Sequence, residues 1–209
     1  MAKKTYSKST IISMIAVITM LMAAIANAQT GQDSRANKKE IIYLHLSIPF
    51  INSFCMKFEG QGANFKTGIF GGSVGLDYHY TKNHFIHLGA SSVTHLLSVP
   101  KSNGELMTSE YISLSNNHKI KRFTIGYGFS YGKNYWDKRE NGWGWLSIFP
   151  TDSKSHHAFG FTFPAYFQLT KFFNMGIIYR PTFYRPNMAE KFLYEHIVSV
   201  DVAFKIRIK

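Results

Sequence analysis

From Val198 onward the chain alternates without a break. Val198, Val200, Val202, Phe204, Ile206 and Ile208 fall on one side of a strand, and Ser199, Asp201, Ala203, Lys205, Arg207 and Lys209 fall on the other. Successive strand side chains point to opposite faces, so the segment has one apolar and one polar face. Similar two-faced patterns over residues 41–50, 66–80, 84–99, 107–116, 121–135, 156–169 and 172–184 bring the predicted strands to eight. The second, fifth and sixth are the plainest after the last. In the fifth, Phe123, Ile125, Tyr127, Phe129 and Tyr131 oppose Arg122, Thr124, Gly126, Gly128, Ser130 and Gly132. Repeated glycine on one face fits the tight curvature and close interior packing of a narrow closed sheet.

The connections between these segments alternate in length. Residues 81–83, 116–119 and 170–171 read as tight turns, whereas 51–65, 100–106, 136–155 and 185–192 read as long links. An up-and-down barrel with both termini on one side of a membrane has short turns at that side and long loops at the other. A soluble sandwich has no reason to keep loop length in phase with strand parity. The expected fold is therefore all-β, an eight-stranded antiparallel up-and-down transmembrane β-barrel.

The front of the chain fits that setting. Lys3, Lys4 and Lys8 precede an apolar stretch over residues 11–25, and Ala26-Asn27-Ala28 supplies a small-x-small end. These are the three parts of a cleavable secretory signal. Residues 1–28 are read as that signal, 29–40 as a flexible lead-in and 41–209 as the barrel. Losing the three lysines leaves 21 basic residues against 12 acidic, a net charge of +9. For an exported chain, anionic lipid or lipopolysaccharide phosphate is the expected counter-charge, not nucleic acid. Cys55 is the single cysteine, so no internal disulfide can form.

Aromatic residues collect near predicted strand ends. Trp136, Trp143, Trp145, Phe149, Phe183, Tyr184 and Tyr194 fall near the long-loop rim, and Tyr78, Tyr80, Phe85, Phe123, Phe167, Phe172 and Phe173 near the short-turn rim. Aromatic girdles at both interfaces belong to outer-membrane barrels. In these strands, loops and rims, residues 41–209 resemble the small eight-stranded outer-membrane barrels of the OmpX and OmpA-transmembrane-domain type. Such barrels usually end in an aromatic residue, where this sequence reads Ile206-Arg207-Ile208-Lys209 with Phe204 the nearest ring.

Eight strands enclose a space that side chains can fill, so no solute-sized channel is expected. The polar phase places His45, Asp77, His79, Arg122, Arg180, Asp201, Lys205 and Arg207 inside. Buried charges must be paired, which predicts a network joining Asp77 and Asp201 to Arg122, Arg180, Lys205 or Arg207. No cofactor and no dedicated metal site is expected. Two candidate chemistries stand against a purely structural reading. His45-x-Ser47 puts a hydrolase-type pair on one strand face, but the inner one. Residues 151–157 hold Asp152, Ser153, His156 and His157 at the predicted outer mouth, the residue types of an acyltransferase or hydrolase. The adjacent histidines there would make a weak surface metal site only with further ligands.

Lys138, Arg139, Trp143, Trp145, Lys154 and Arg185 sit in or beside the predicted outer loops and form the candidate binding set. The expected function is a structural or surface-binding outer-membrane protein of a Gram-negative cell, with both mature termini in the periplasm. Its expected partners are outer-membrane lipid and lipopolysaccharide, or an extracellular or envelope protein. A lipid A or phospholipid acyl hydrolase or acyltransferase is the first alternative, and a soluble periplasmic lipocalin-like barrel the second.

Overall fold

A computed structural model describes residues 41–58, 62–95, 103–140 and 152–208. They form nine strand segments: β1 (Ile41–Lys57), β2 (Ala63–Ile69), β3 (Gly71–His79), β4 (His84–Thr94), β5 (Asn103–Ile120), β6 (Phe123–Glu140), β7 (Asp152–Gln168), β8 (Phe173–Tyr184) and β9 (Phe192–Arg207). All neighbours are antiparallel, and β9 pairs back onto β1 from Tyr43↔Arg207 to Cys55↔His196, closing the ring. β2 and β3 are two parts of one barrel strand. Both pair with β1, and they are separated at Phe70, whose φ is 111°. The barrel thus has eight strands, as the alternation predicts. The expected secretory signal and lead-in lie outside the described residues.

Strand limits differ from those predicted in an instructive way. β1 continues to Lys57 and pairs with β2 through Lys57↔Ala63, so most of the expected loop at 51–65 is hairpin. A bulge between Pro49 and Ile51 is the cause. His45, Ser47 and Pro49 are buried before it, and Asn52, Phe54, Met56 and Phe58 after it, so the inward phase changes from odd to even numbers. A reader of strict alternation ends the strand there. Likewise β5 and β6 extend to a two-residue turn at Lys121-Arg122, and Trp136↔Lys154 to Lys138↔Asp152 pair β6 with β7 within the expected 136–155 loop.

The polarity is inverted relative to a water-soluble fold. Leu46, Ile48, Val74, Leu76, Ile125, Phe129, Phe163, Ile177, Phe204 and Ile206 are exposed on the outer face, while Asp77 and Asp201 have no exposed surface. On β6 the exposed run from Phe123 to Tyr131 spans roughly 20 Å of barrel height, at about 3.3 Å per residue and a tilt near 40°.

The interior divides into two halves. The half beside the turns at 80–83, 121–122 and 169–172 is polar. The half beside the 58–62 and 185–191 connections is filled by Phe54, Met56, Phe58, Val93, Met107, Tyr111, Trp136 and Ile197. The burial pattern corrects two expectations. Trp136 is 2% exposed and points inward, not into an outer girdle, and Phe85 is buried against His79.

Candidate functional site

Two polar clusters occupy the lumen. In the turn-end half, the register sets Asp77 of β3 opposite His87 of β4, and His45 of β1 opposite Gly75, two residues from Asp77. Same-face neighbours on adjacent strands therefore converge. Asp77 Oδ1 lies 2.6 Å from His87 Nδ1 and 3.6 Å from His45 Nδ1, and Asp77 Oδ2 lies 2.6 Å from Lys205 Nζ. The ammonium also sits over the Phe85 ring, 4.3 Å from its centroid.

One step deeper, the Tyr166 hydroxyl donates to Asp201 Oδ2 at 2.5 Å. Arg180 donates to the Tyr111 hydroxyl and, at 2.5 Å, to Ser199 Oγ, with its guanidinium 3.9 Å from the Tyr111 ring centroid. A void of about 30 Å³, room for a water or two, is lined by His45, His87, Tyr166, Arg180 and Lys205 among others.

The second cluster is in the loop-end half. Glu195 is its hub: Oε2 lies 2.8 Å from His156 Nε2 and accepts from Asn134 Nδ2 at 3.4 Å, while Oε1 accepts the Lys57 backbone N–H at 2.8 Å. Arg185 Nη1 stands 3.5 Å from Glu195 Oε1 and donates to the Lys57 carbonyl at 2.7 Å. The Glu195, His156 and Arg185 side chains are all buried.

The predicted interior set is thus partly assembled. Asp77 meets Lys205; Asp201 meets Tyr166; Arg180 is inside with hydroxyl partners. Arg122 and Arg207 are exposed, not buried in the lumen. Arg122 sits in the β5–β6 turn, where the chain reverses before it can face inward, and Arg207 is exposed at the end of β9.

Nor is the acyl-transfer set brought together. Ser153 and His156 are three apart on β7 and so project from opposite faces. Ser153 donates to Asp137 Oδ1 at 2.7 Å on the surface, Asp152 is exposed, His156 is bound to Glu195 within the lumen, and His157 lies outside beside the Tyr131 hydroxyl at 3.0 Å. The two adjacent histidines cannot share an ion for the same reason.

Of the candidate binding set, Trp143 and Trp145 lie outside the described residues, as does the Arg139 side chain. Arg185 is buried, not at the rim. Lys154 lies over the Trp136 ring at 5.7 Å, and Lys138 is half-buried on β6. Sequence reasoning missed His87, Glu195 and Asn134. The alternation of β6 and β9 carried a signal for the last two, since both share the phase of their buried strand-mates.

These features define the class of fold: a small eight-stranded outer-membrane-type β-barrel with a filled lumen. No family model matches the chain, and no curated protein matches its sequence. Among solved structures it is similar to Ail, the attachment invasion locus protein of Yersinia pestis, in complex with the heparin analogue sucrose octasulfate. The TM-score is 0.53 at 9% identity, over 81% of this chain and 100% of that one. Neisserial surface protein A gives 0.48 at 11% identity over 79% and 97%, and the N-terminal barrel domain of Pseudomonas aeruginosa OprF gives 0.46 at 10% over 80% and 100%. Identity this low carries the fold alone.

Proposed function

We propose that the protein is an exported outer-membrane barrel with a structural or surface-binding role, which passes no solute. In this reading it contacts lipopolysaccharide or an envelope or extracellular partner through the basic and aromatic side chains at its loop end. The observation that carries it is the inverted polarity. A continuous belt of exposed Ile, Leu, Val and Phe encircles a lumen closed by buried ion pairs and by the Phe54–Met56–Trp136 plug. Only a closed barrel satisfies its backbone in hydrocarbon, and a lipocalin-like barrel in water would need the opposite arrangement.

The side with long connections would then face outward, and the Ile41 and Arg207 ends would face the periplasm. The signal-like sequence over residues 1–28 supports export. At the loop end Lys57 pairs with Glu190 at 3.2 Å and Lys66 with Glu105 at 3.1 Å, while Lys133 lies over the Tyr135 ring at 4.8 Å. Lysines braced on aromatic rings offer charge to polyanions such as lipopolysaccharide phosphate or sulfated sugar, the ligand chemistry seen in the Ail complex.

Three measurements test the reading. The protein should remain with the outer-membrane fraction after a carbonate wash; release into the periplasmic extract would overturn it. Reconstituted in planar bilayers, it should give no stepwise conductance at any voltage that the bilayer withstands. In nanodiscs, lipopolysaccharide binding should weaken with salt and fall in a Lys133→Gln/Lys138→Gln/Lys154→Gln variant. Binding unchanged by either would remove the surface-binding half of the proposal.

A further inference from the structure

Within the turn-end cluster, three potential ligand atoms from three strands lie within 4.8 Å of one another: one each from His45, Asp77 and His87. Their approach is built into the wall. A Cβ on Gly75 would stand 2.5 Å from His87 Cε1, and one on Gly89 would stand 2.5 Å from His87 Nε2. The His87 ring therefore lies in a slot that two glycines leave open, with Nδ1 turned to Asp77. Asp77 is fully buried, and His45 is buried with its Nδ1 lacking any hydrogen-bond partner. The His87 side chain keeps 17% of its surface accessible, and both histidines line the 30 Å³ void.

We propose that His45, Asp77 and His87 form a binding site for a divalent transition-metal ion of the zinc class, completed by a water from the adjoining void. Two imidazole nitrogens and one carboxylate oxygen are a donor set suited to zinc and its neighbours. Bonds of about 2.0–2.1 Å in a tetrahedron put ligand atoms roughly 3.3 Å apart. The observed 2.6 Å and 3.6 Å from Asp77 Oδ1 bracket that value. The ion would take the place of the proton between His87 and Asp77.

Lys205 acts on the site in two opposed ways. By holding Asp77 Oδ2 it keeps Oδ1 aimed at the histidines, as the outer partners of metal ligands do. Its positive charge also repels a dication, so it limits affinity and leaves Asp77 paired when no metal is bound. Replacing it with a neutral hydrogen-bonding side chain should therefore tighten binding, which no purely structural role for this cluster predicts.

The test uses the full-length protein purified from membranes in detergent, stripped with a chelator and titrated with Co(II), then Zn(II). The expected result is one Co(II) per chain, with the intense visible absorption of a four-coordinate site, displaced by Zn(II). His45→Gln and His87→Gln should each weaken binding by about a hundredfold, at least what loss of an outer partner costs, whereas Lys205→Gln removes a positive charge next to the dication and should tighten binding about tenfold. Near-UV circular dichroism verifies that each variant is folded, and His87→Gln serves should His45→Gln not fold.

His84 and His118 approach within 2.6 Å on the outer face and are the control; His84→Gln/His118→Gln should leave binding unchanged. Binding that persists in both ligand variants, follows the His84/His118 pair or ignores Lys205→Gln overturns the site. So does the absence of any stoichiometric binding.

Discussion

At the scale of single residues, Glu195 is the side chain whose loss the barrel should tolerate least. It is the carboxylate partner of both Arg185 and His156, and all three are nearly inaccessible. Removing one partner of a buried pair leaves an uncompensated charge, at a cost of about 3–5 kcal/mol. Glu195→Gln is accordingly expected to lower the unfolding free energy of the refolded barrel, read from urea titration, by that amount. Glu190→Gln breaks the half-exposed pair with Lys57 and a longer 3.7 Å contact with Arg185, which keeps Glu195 as its buried partner, and should cost at most about 1 kcal/mol. Equal effects would contradict the inward placement of this cluster. The sequence showed Asp77, Asp201 and Lys205 as interior because they sit on unbroken alternations. His87 escaped notice because Gly89, Ala90, Ser91 and Ser92 blur the phase of β4. Arg122 and Arg185 were misassigned because each stands at a chain reversal, where a one-residue error in strand length exchanges inside and outside.

At the scale of elements, one buried amide joins the two irregularities that the alternation could not reveal. Asn52 Nδ2 donates to the Pro49 carbonyl at 3.0 Å, beside the β1 bulge, and to the Phe70 carbonyl at 3.1 Å, at the break between β2 and β3. Bulge and break face each other across the β1–β2 pairing, so the two distortions share a single brace. Asn52→Leu removes both hydrogen bonds and leaves two carbonyls without that donor; a loss of about 1–3 kcal/mol is expected in the same urea assay. Phe70→Gly should behave oppositely. A φ of 111° strains a residue with a Cβ by about 1–3 kcal/mol, and Phe70 is exposed, so relief of strain should offset the lost ring contact. Marked destabilisation by Phe70→Gly would mean the ring, not the backbone, defines the break. Strand number was legible in the sequence because it depends on polarity averaged over whole segments. Strand ends were not, because bulges and positive φ reset the phase without any residue type that announces them.

At the scale of the whole molecule, the decisive quantity is the depth dependence of a charge placed on the outer wall. Ile177 of β8 lies opposite Val200 of β9, near the middle of the apolar belt, and is 52% exposed; Phe192 begins β9 at the loop end and is 75% exposed. In water both positions would accept arginine at little cost, since neither is buried by protein. In a bilayer the two separate. Arginine at the midplane of a barrel costs about 2–4 kcal/mol, falling to about 0–1 near the interface. Ile177→Arg refolded into phospholipid vesicles should therefore lose roughly 2–4 kcal/mol in guanidinium unfolding, and Phe192→Arg should be near neutral. The same pair compared in detergent micelles should converge, because a micelle lets an arginine reach water from any height. A cost at Ile177 present in vesicles and reduced in micelles would follow from hydrocarbon contact and from nothing in the protein's own packing. Indifference to Ile177→Arg in both media would mean that the belt never meets lipid, and the reading of its polarity would have to be abandoned.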